Sequence, residues 1–210
     1  MRSAIAPPED LTTRARIRDA AMRLFPELGY DAASVRRIAR EAGVSPALVL
    51  HHYGSKEGLL QACDHHLVER YRQIKDDAIA GGMFNPAFMS SAMAESRTLM
   101  KYLAWAMASN RPDAAALFDE MMAEAVTVSR VSIEKGYLTG SHDLEARTAL
   151  QLAMQIGLAV LHEHVERVTG IDLFSEEGIR RATPLLLEIY SGLFDPDLLA
   201  ELVETLPGRA

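Results

Sequence analysis

Three serines placed to begin helices and one glycine placed to end one confine residues 34–57 to a narrow set of folds. Ser34 precedes Val35, Ile38, Ala39 and Ala42, whose steps of three and four put them on one inward face of a short helix. Gly43 supplies a tight turn and Val44 plugs the corner. Ser45 caps a second short helix with Pro46 in its first position, where a missing N–H costs nothing. Val49 and Tyr53 lie one turn apart on its inner face. Ser55 opens a long helix in which Leu60, Cys63, Leu67, Tyr71, Ile74 and Ala78 recur at helical spacing, with Gly81-Gly82 as its end. Two short helices on a glycine turn, with the small Ala39 at their approach, meet the requirement of a helix-turn-helix.

An amphipathic helix precedes this unit. Ile17, Ala20, Ala21, Leu24, Phe25 and Leu28 form its apolar stripe, with Asp10, Thr12 or Thr13 as cap, Gly29 as stop and Pro26 as a kink in the last turn. Further helices are predicted near 86–109, 112–136, 142–168 and 175–194, with a short one near 196–204. Pro184 is expected to kink or divide the 175–194 helix. Strand signals are almost absent, so the expected fold class is all-α. The expected division is a helix-turn-helix unit over 1–58 and a helical unit over 59–210.

The net charge of −7 argues against nucleic acid until its distribution is considered. Residues 1–60 hold nine Lys/Arg against seven Asp/Glu, and residues 61–210 hold 13 against 22. Phosphate neutralisation is local, so a mildly basic head on an acidic body suits a DNA binder. The single cysteine, Cys63, excludes an internal disulfide and, lying in an apolar pattern, reads as a core residue of a cytoplasmic protein. The longest nearly apolar stretch, 149–161, is too short to span a bilayer, and no secretory signal is visible. Neither Cys63 with His66 nor His162 with His164 makes a metal signature, and no nucleophile elbow, phosphate loop or dinucleotide fingerprint occurs. No metal, cofactor or catalytic residue is therefore expected.

Gly29-Tyr30, Ser34, Ile38-Ala39, Ala42-Gly43-Val44-Ser45, His51-His52-Tyr53 and Ser55-Lys56-Glu57, at this spacing within residues 13–62, resemble the N-terminal domain of TetR-family transcriptional regulators. The resemblance implies phosphate contacts at Ser34, His51 and Lys56, and base contacts around Ser45, Pro46, Ala47 and Leu48. Arg36 matches a position that reaches phosphate or a base. Arg37 and Arg40 read either as further contacts or as solvated partners of Glu41. One position departs from the pattern: Leu50 stands where the family usually has a tyrosine that touches the DNA backbone. A phosphate contact is then lost or replaced by apolar contact with a thymine methyl.

The C-terminal half carries no motif of its own. Residues 149–161 are apolar nearly all round, which fits either a central core helix or a helix shared between the core and a second subunit. The resemblance implies the second, with helices near 142–168 and 175–194 pairing across a two-fold axis in a homodimer. Met and aromatic residues crowd 83–122, and each alone also fits an ordinary core. As a group, Met100, Trp105, Phe118, Met121 and Met122 are the candidate wall of an apolar effector pocket, with Glu95, Arg97 and Glu124 as polar anchors. The function read from all this is a ligand-responsive DNA-binding regulator, a repressor by family default. As a homodimer it would bind a palindromic double-stranded operator and be released by a small apolar or amphipathic effector. The alternative is a DNA-binding dimer that senses no ligand.

Overall fold

The computed structural model describes the backbone of residues 8–80, 86–109, 111–191 and 196–197, and the side chains among these outside 8–11 and 86–96. Regular structure is helical: α1 (Pro8–Ala32), α2 (Val35–Ala42), α3 (Pro46–Tyr53), α4 (Lys56–Ile79), α5 (Pro86–Ala108), α6 (Ala114–Glu134), α7 (Leu144–Val160), α8 (His162–Thr169) and α9 (Glu176–Ile189). The chain forms two compact units, Met1–Leu67 and Val68–Ala210, and α4 contributes residues to both.

In the first unit α1, α2 and α3 pack on one another. Ile17, Ala20, Ala21 and Phe25 of α1, Ile38 and Ala39 of α2, Val49 of α3, and Leu59, Cys63 and Leu67 of α4 are buried. Each large member contributes about 1.5–3 kcal/mol through burial. The Cys63 thiol faces the Arg18 carbonyl at 3.8 Å, as a core residue would. Asp10, Thr12 and Thr13 lie inside α1 and do not cap it, because the helix already begins at Pro8, where proline loses no hydrogen bond. Helical geometry continues through Pro26 and breaks only at Gly29 (φ 77°, ψ 160°).

In the second unit α7 packs against both α5 and α6. Tyr102, Leu103 and Ala106 of α5, Leu117, Met121 and Ala125 of α6, and Leu152, Ile156 and Ala159 of α7 are buried. The expected single helix over 142–168 is two. It breaks at Leu161 (φ −94°, ψ 11°), and His162, opening α8, packs edge-on against Phe174 with ring centroids 4.5 Å apart. Conversely, α9 is one element that runs through Pro184 and closes at Tyr190, short of the expected end. Beside the proline the Thr183 hydroxyl donates to the Ile179 carbonyl at 2.8 Å, one residue before the carbonyl that the ring nitrogen cannot serve. Pro112 precedes α6 and does not sit in its first turn; Arg111 and Asp113 pair across it at 2.9 Å. The Gly81-Gly82 terminator and the short helix near 196–204 lie outside the described residues, save for helical residues 196–197.

Candidate nucleic-acid interface

The three serine caps are formed. Ser34 Oγ accepts the Arg37 N–H at 3.3 Å, Ser45 Oγ accepts the Leu48 N–H at 3.2 Å and Ser55 Oγ accepts the Gly58 N–H at 3.0 Å. Each satisfies one orphan donor of a helix start, and the Ser55 hydroxyl also hydrogen-bonds the Glu57 carboxylate. Between α2 and α3, Gly43 takes the left-handed conformation (φ 66°, ψ 39°), and its neighbour Val44 returns its N–H to the Ala39 carbonyl at 2.9 Å. A hairpin of two helices results, eight residues each, held at a fixed angle by Ile38, Ala39 and Val49 beneath it.

The outer side of α3 presents Pro46, Ala47, Leu50 and His51, all exposed, with Ser45 exposed at its start. Leu48 is half-buried, Val49 fully buried and Leu50 exposed, so the helix divides between core and outer face within consecutive residues. Leu50 is 44% exposed, an apolar side chain beside Pro46 and Ala47 on a surface whose polar groups are Ser45 and His51. Of the two histidines His51 is the outward one; His52 is half-buried, its ring edge-on to His51 at 5.5 Å. On α2, Arg36, Arg37 and Arg40 are exposed. Glu41 pairs with Arg23 of α1 at 3.2 Å and not with Arg37 or Arg40, because the buried face of α2 brings its acidic edge against α1. Among the described residues no carboxylate holds those three guanidinium groups.

Several ties in this head have no signature in the sequence. Arg16 donates from Nη2 to the Ala42 carbonyl at 2.6 Å and to the Gly43 carbonyl at 3.2 Å, closing the open carbonyls at the end of α2. Tyr53 donates its hydroxyl to the Arg14 carbonyl at 2.6 Å while the Arg14 guanidinium lies over its ring, 5.3 Å from the centroid. Burial pushes the Tyr53 phenol up, against the lowering effect of Arg14. Lys56 turns its ammonium to the Tyr30 carbonyl and, at 3.4 Å, to the Asp31 carbonyl, with the Tyr30 ring 4.0 Å away. Tyr30 in turn donates its hydroxyl to Glu57 at 2.8 Å, which holds the Glu57 carboxyl below its ordinary value. The start of α4 is thereby fixed to the turn that leads from α1 into α2.

The comparisons with known proteins agree with this geometry. Residues 17–63 match the family described as bacterial regulatory proteins, tetR family, and residues 94–194 match the tetracyclin repressor-like C-terminal domain. The HTH-type transcriptional regulatory protein RaaS of Mycobacterium tuberculosis is 39% identical over 150 residues, 70% of this chain and 67% of that one. The chain belongs to the TetR family. A shorter similarity, 46% over 67 residues and 32% of each chain, relates it to the regulator BetI of Rhizobium meliloti. Among solved structures, the TetR regulator TylP of Streptomyces fradiae shares the fold with a TM-score of 0.65 at 20% identity, covering 91% of this chain and 90% of that one. Salmonella enterica GusR does so with 0.57 at 20%, covering 97% and 99%. As a TetR-family member the protein is a DNA-binding transcriptional regulator and not an enzyme.

In the C-terminal unit of this TetR regulator, Met121 lies in the packed core, while Met100, Trp105, Phe118 and Met122 are partly buried. Met100 packs on Ala104, Ala159 and Phe174. The Trp105 ring stands 5.4 Å from Tyr102 and carries the Arg111 guanidinium at 5.5 Å. The hydrogen bond from Arg111 holds the Asp113 carboxyl below its usual range. Of the polar anchors, Arg97 is exposed and Glu124 partly buried; the Glu95 side chain, like Met83, Phe84, Phe88, Met89 and Met93, lies outside the described ones. Among the described residues no helix is long and apolar enough to cross a membrane, and no three potential ligands gather as a metal site.

Proposed function

We propose that this TetR-family protein is a ligand-responsive repressor that binds a palindromic operator as a homodimer. The observation that carries the DNA half is the surface around α3. Ser45, Pro46, Ala47, Leu50 and His51 lie on one exposed side, flanked by Arg36 and by the capped starts of α2 and α4 at Ser34 and Lys56. Hydroxyls, helix N-termini and unpaired guanidinium groups are the chemistry that grips phosphate. Pro46, Ala47 and Leu50 offer apolar contact and few hydrogen bonds to bases, so sequence preference leans on Arg36 and on DNA shape.

The dimer half rests on an uncovered apolar surface. Leu150 and Met154 of α7, Leu161 at the α7–α8 junction, and Leu185 and Ile189 of α9 stand 48–67% exposed, while Leu152 and Ile156 of the same α7 are buried. A helix apolar on both sides within one chain has its second side available to a second subunit. A two-fold dimer suits two half-sites one helical turn apart. The effector half is supported by the match of residues 94–194 to the tetracyclin repressor-like C-terminal domain. A solved chain titled gamma-butyrolactone receptor shares the fold at 17% identity and a TM-score of 0.54. An effector releases DNA only through unequal affinity for two states of the dimer, and α4 is one continuous helix from Lys56 at the head to Ile79 in the second unit.

The test is selection of genomic fragments by purified protein, then salt-dependent binding to the recovered sequence. The expected outcome is a palindrome bound by a dimer, with affinity falling steeply in salt. Recovery of no enriched sequence would overturn the reading of the α3 surface as a specific DNA reader.

A further inference from the structure

The C-terminal half of α4 holds a charge where its neighbours predict an apolar side chain. Val68, Tyr71 and Ile79 form one stripe of the helix, and Val68 and Ile79 are buried. Lys75 stands between Tyr71 and Ile79, one turn from each. The residue is partly buried, and its ammonium lies against the Tyr71 ring, 5.6 Å from the centroid. Among the described residues no carboxylate and no carbonyl takes its protons. This contrasts with Arg16, Arg18, Arg23, Arg111 and Arg180, each of which meets a carbonyl or a carboxylate within 3.2 Å. A ring face compensates only a fraction of the hydration that a partly buried ammonium gives up.

We propose that Lys75 and the Tyr71 hydroxyl form a subsite for the carboxylate of an amphipathic monoanion, the effector of this regulator. The proposal rests on the reading of the second unit as effector-binding and names the class of ligand. An ammonium set in an apolar stripe is satisfied by a single negative charge whose remaining bulk is apolar. The surroundings argue against more charge than that. Glu124 of α6 acts on Tyr71, and residues 61–210 carry 22 acidic against 13 basic side chains, so a phosphate or a dianion would meet repulsion that a monocarboxylate largely avoids. Burial, with Glu124 adding to it, pushes the Tyr71 phenol up to about 12, so the hydroxyl keeps its proton and can donate it. Burial pushes the Lys75 ammonium down. The position also places the ligand's charge on the helix whose other end anchors the DNA head.

The test compares three probes with one apolar body, decanoate, decan-1-ol and decylammonium, by calorimetry and thermal shift on the full chain. Decanoate is expected to bind saturably, about tenfold or more tighter than decanol, with decylammonium weakest. Lys75→Met is expected to abolish the preference for decanoate over decanol and to raise the Tm of the ligand-free protein, since it removes a partly buried charge that no carboxylate holds among the described residues. Lys75→Gln, a smaller change, is expected to abolish the same preference. Absence of saturable decanoate binding, an unchanged preference in both variants, or a lower ligand-free Tm in Lys75→Met would each overturn the proposal. Genomic selection on the wild-type chain is scored separately, so failure of the subsite and failure of the regulator reading give different results.

Discussion

Single side chains in the head divide into those that hold it and those that stand exposed around α3, and the two kinds predict different phenotypes. Arg16 spends its guanidinium on the Ala42 and Gly43 carbonyls. Arg16→Met is therefore expected to cost about 1 kcal/mol in urea denaturation and to leave the salt dependence of DNA binding unchanged. Lys56 holds the fold, since its ammonium ties the Tyr30 and Asp31 carbonyls at the start of α4, and under the proposed function it also reaches phosphate. Lys56→Ala is expected to lower the Tm, to weaken binding to all sequences evenly and to reduce the salt slope by about one. A lower Tm with an unaltered slope would assign Lys56 to the fold alone. Leu50, exposed on the outer side of α3, is the reverse case. Leu50→Tyr supplies a hydroxyl at a position where it can reach a phosphate, and a gain of about 1 kcal/mol, roughly fivefold in affinity, is expected by fluorescence anisotropy. No gain would mean that the altered face docks in a different register.

At the scale of elements, the turns were legible and the helix ends in the second unit were not. Ser34, Gly43, Ser45 with Pro46, and Ser55 mark their boundaries because caps are local: each is one side chain answering one backbone group. The division of residues 142–168 at Leu161 coincides with the packing of His162 on Phe174, twelve residues further on, and no apolar pattern within the segment announces it. The persistence of α9 through Pro184 is likewise a packing outcome that overrides a local signal. Within the head the long-range ties of Arg16, Tyr53 and Lys56 span 26 to 39 residues and were equally hidden. Gly58 shows how tightly α3 and α4 are joined. A Cβ there would lie 2.2 Å from the Tyr53 carbonyl oxygen, a backbone atom that cannot swing aside. Gly58→Ala is expected to destabilise the head by about 1–3 kcal/mol and to weaken operator binding, because the α3–α4 turn must open. Equal urea midpoints for the variant and the wild type would show that the turn yields freely.

For the whole molecule, one chain leaves its apolar surface unfinished. Leu150 is 67% exposed and Ile189 66%, whereas Leu152, two residues from Leu150, is buried at 3%. The inner side of α7 meets α5 and α6, and the exposure of Leu150 and Met154 on its other side supports the reading of a helix shared with a second subunit. If that side pairs across a two-fold axis, a charge placed at its centre meets its own copy and loses hydration with no compensating partner. The double variant Leu150→Arg, Ile189→Arg tests this without touching the core, since both positions are already solvated in the isolated chain. It is expected to keep the helical circular dichroism of the wild type, to sediment as a monomer where the wild type sediments as a dimer, and to lose most of its operator affinity, because two weakly held heads no longer share one binding event. A variant that remains dimeric would place the subunit contact elsewhere. A variant that becomes monomeric but keeps full operator affinity would show that one head suffices, and the palindrome would cease to be a requirement of the mechanism.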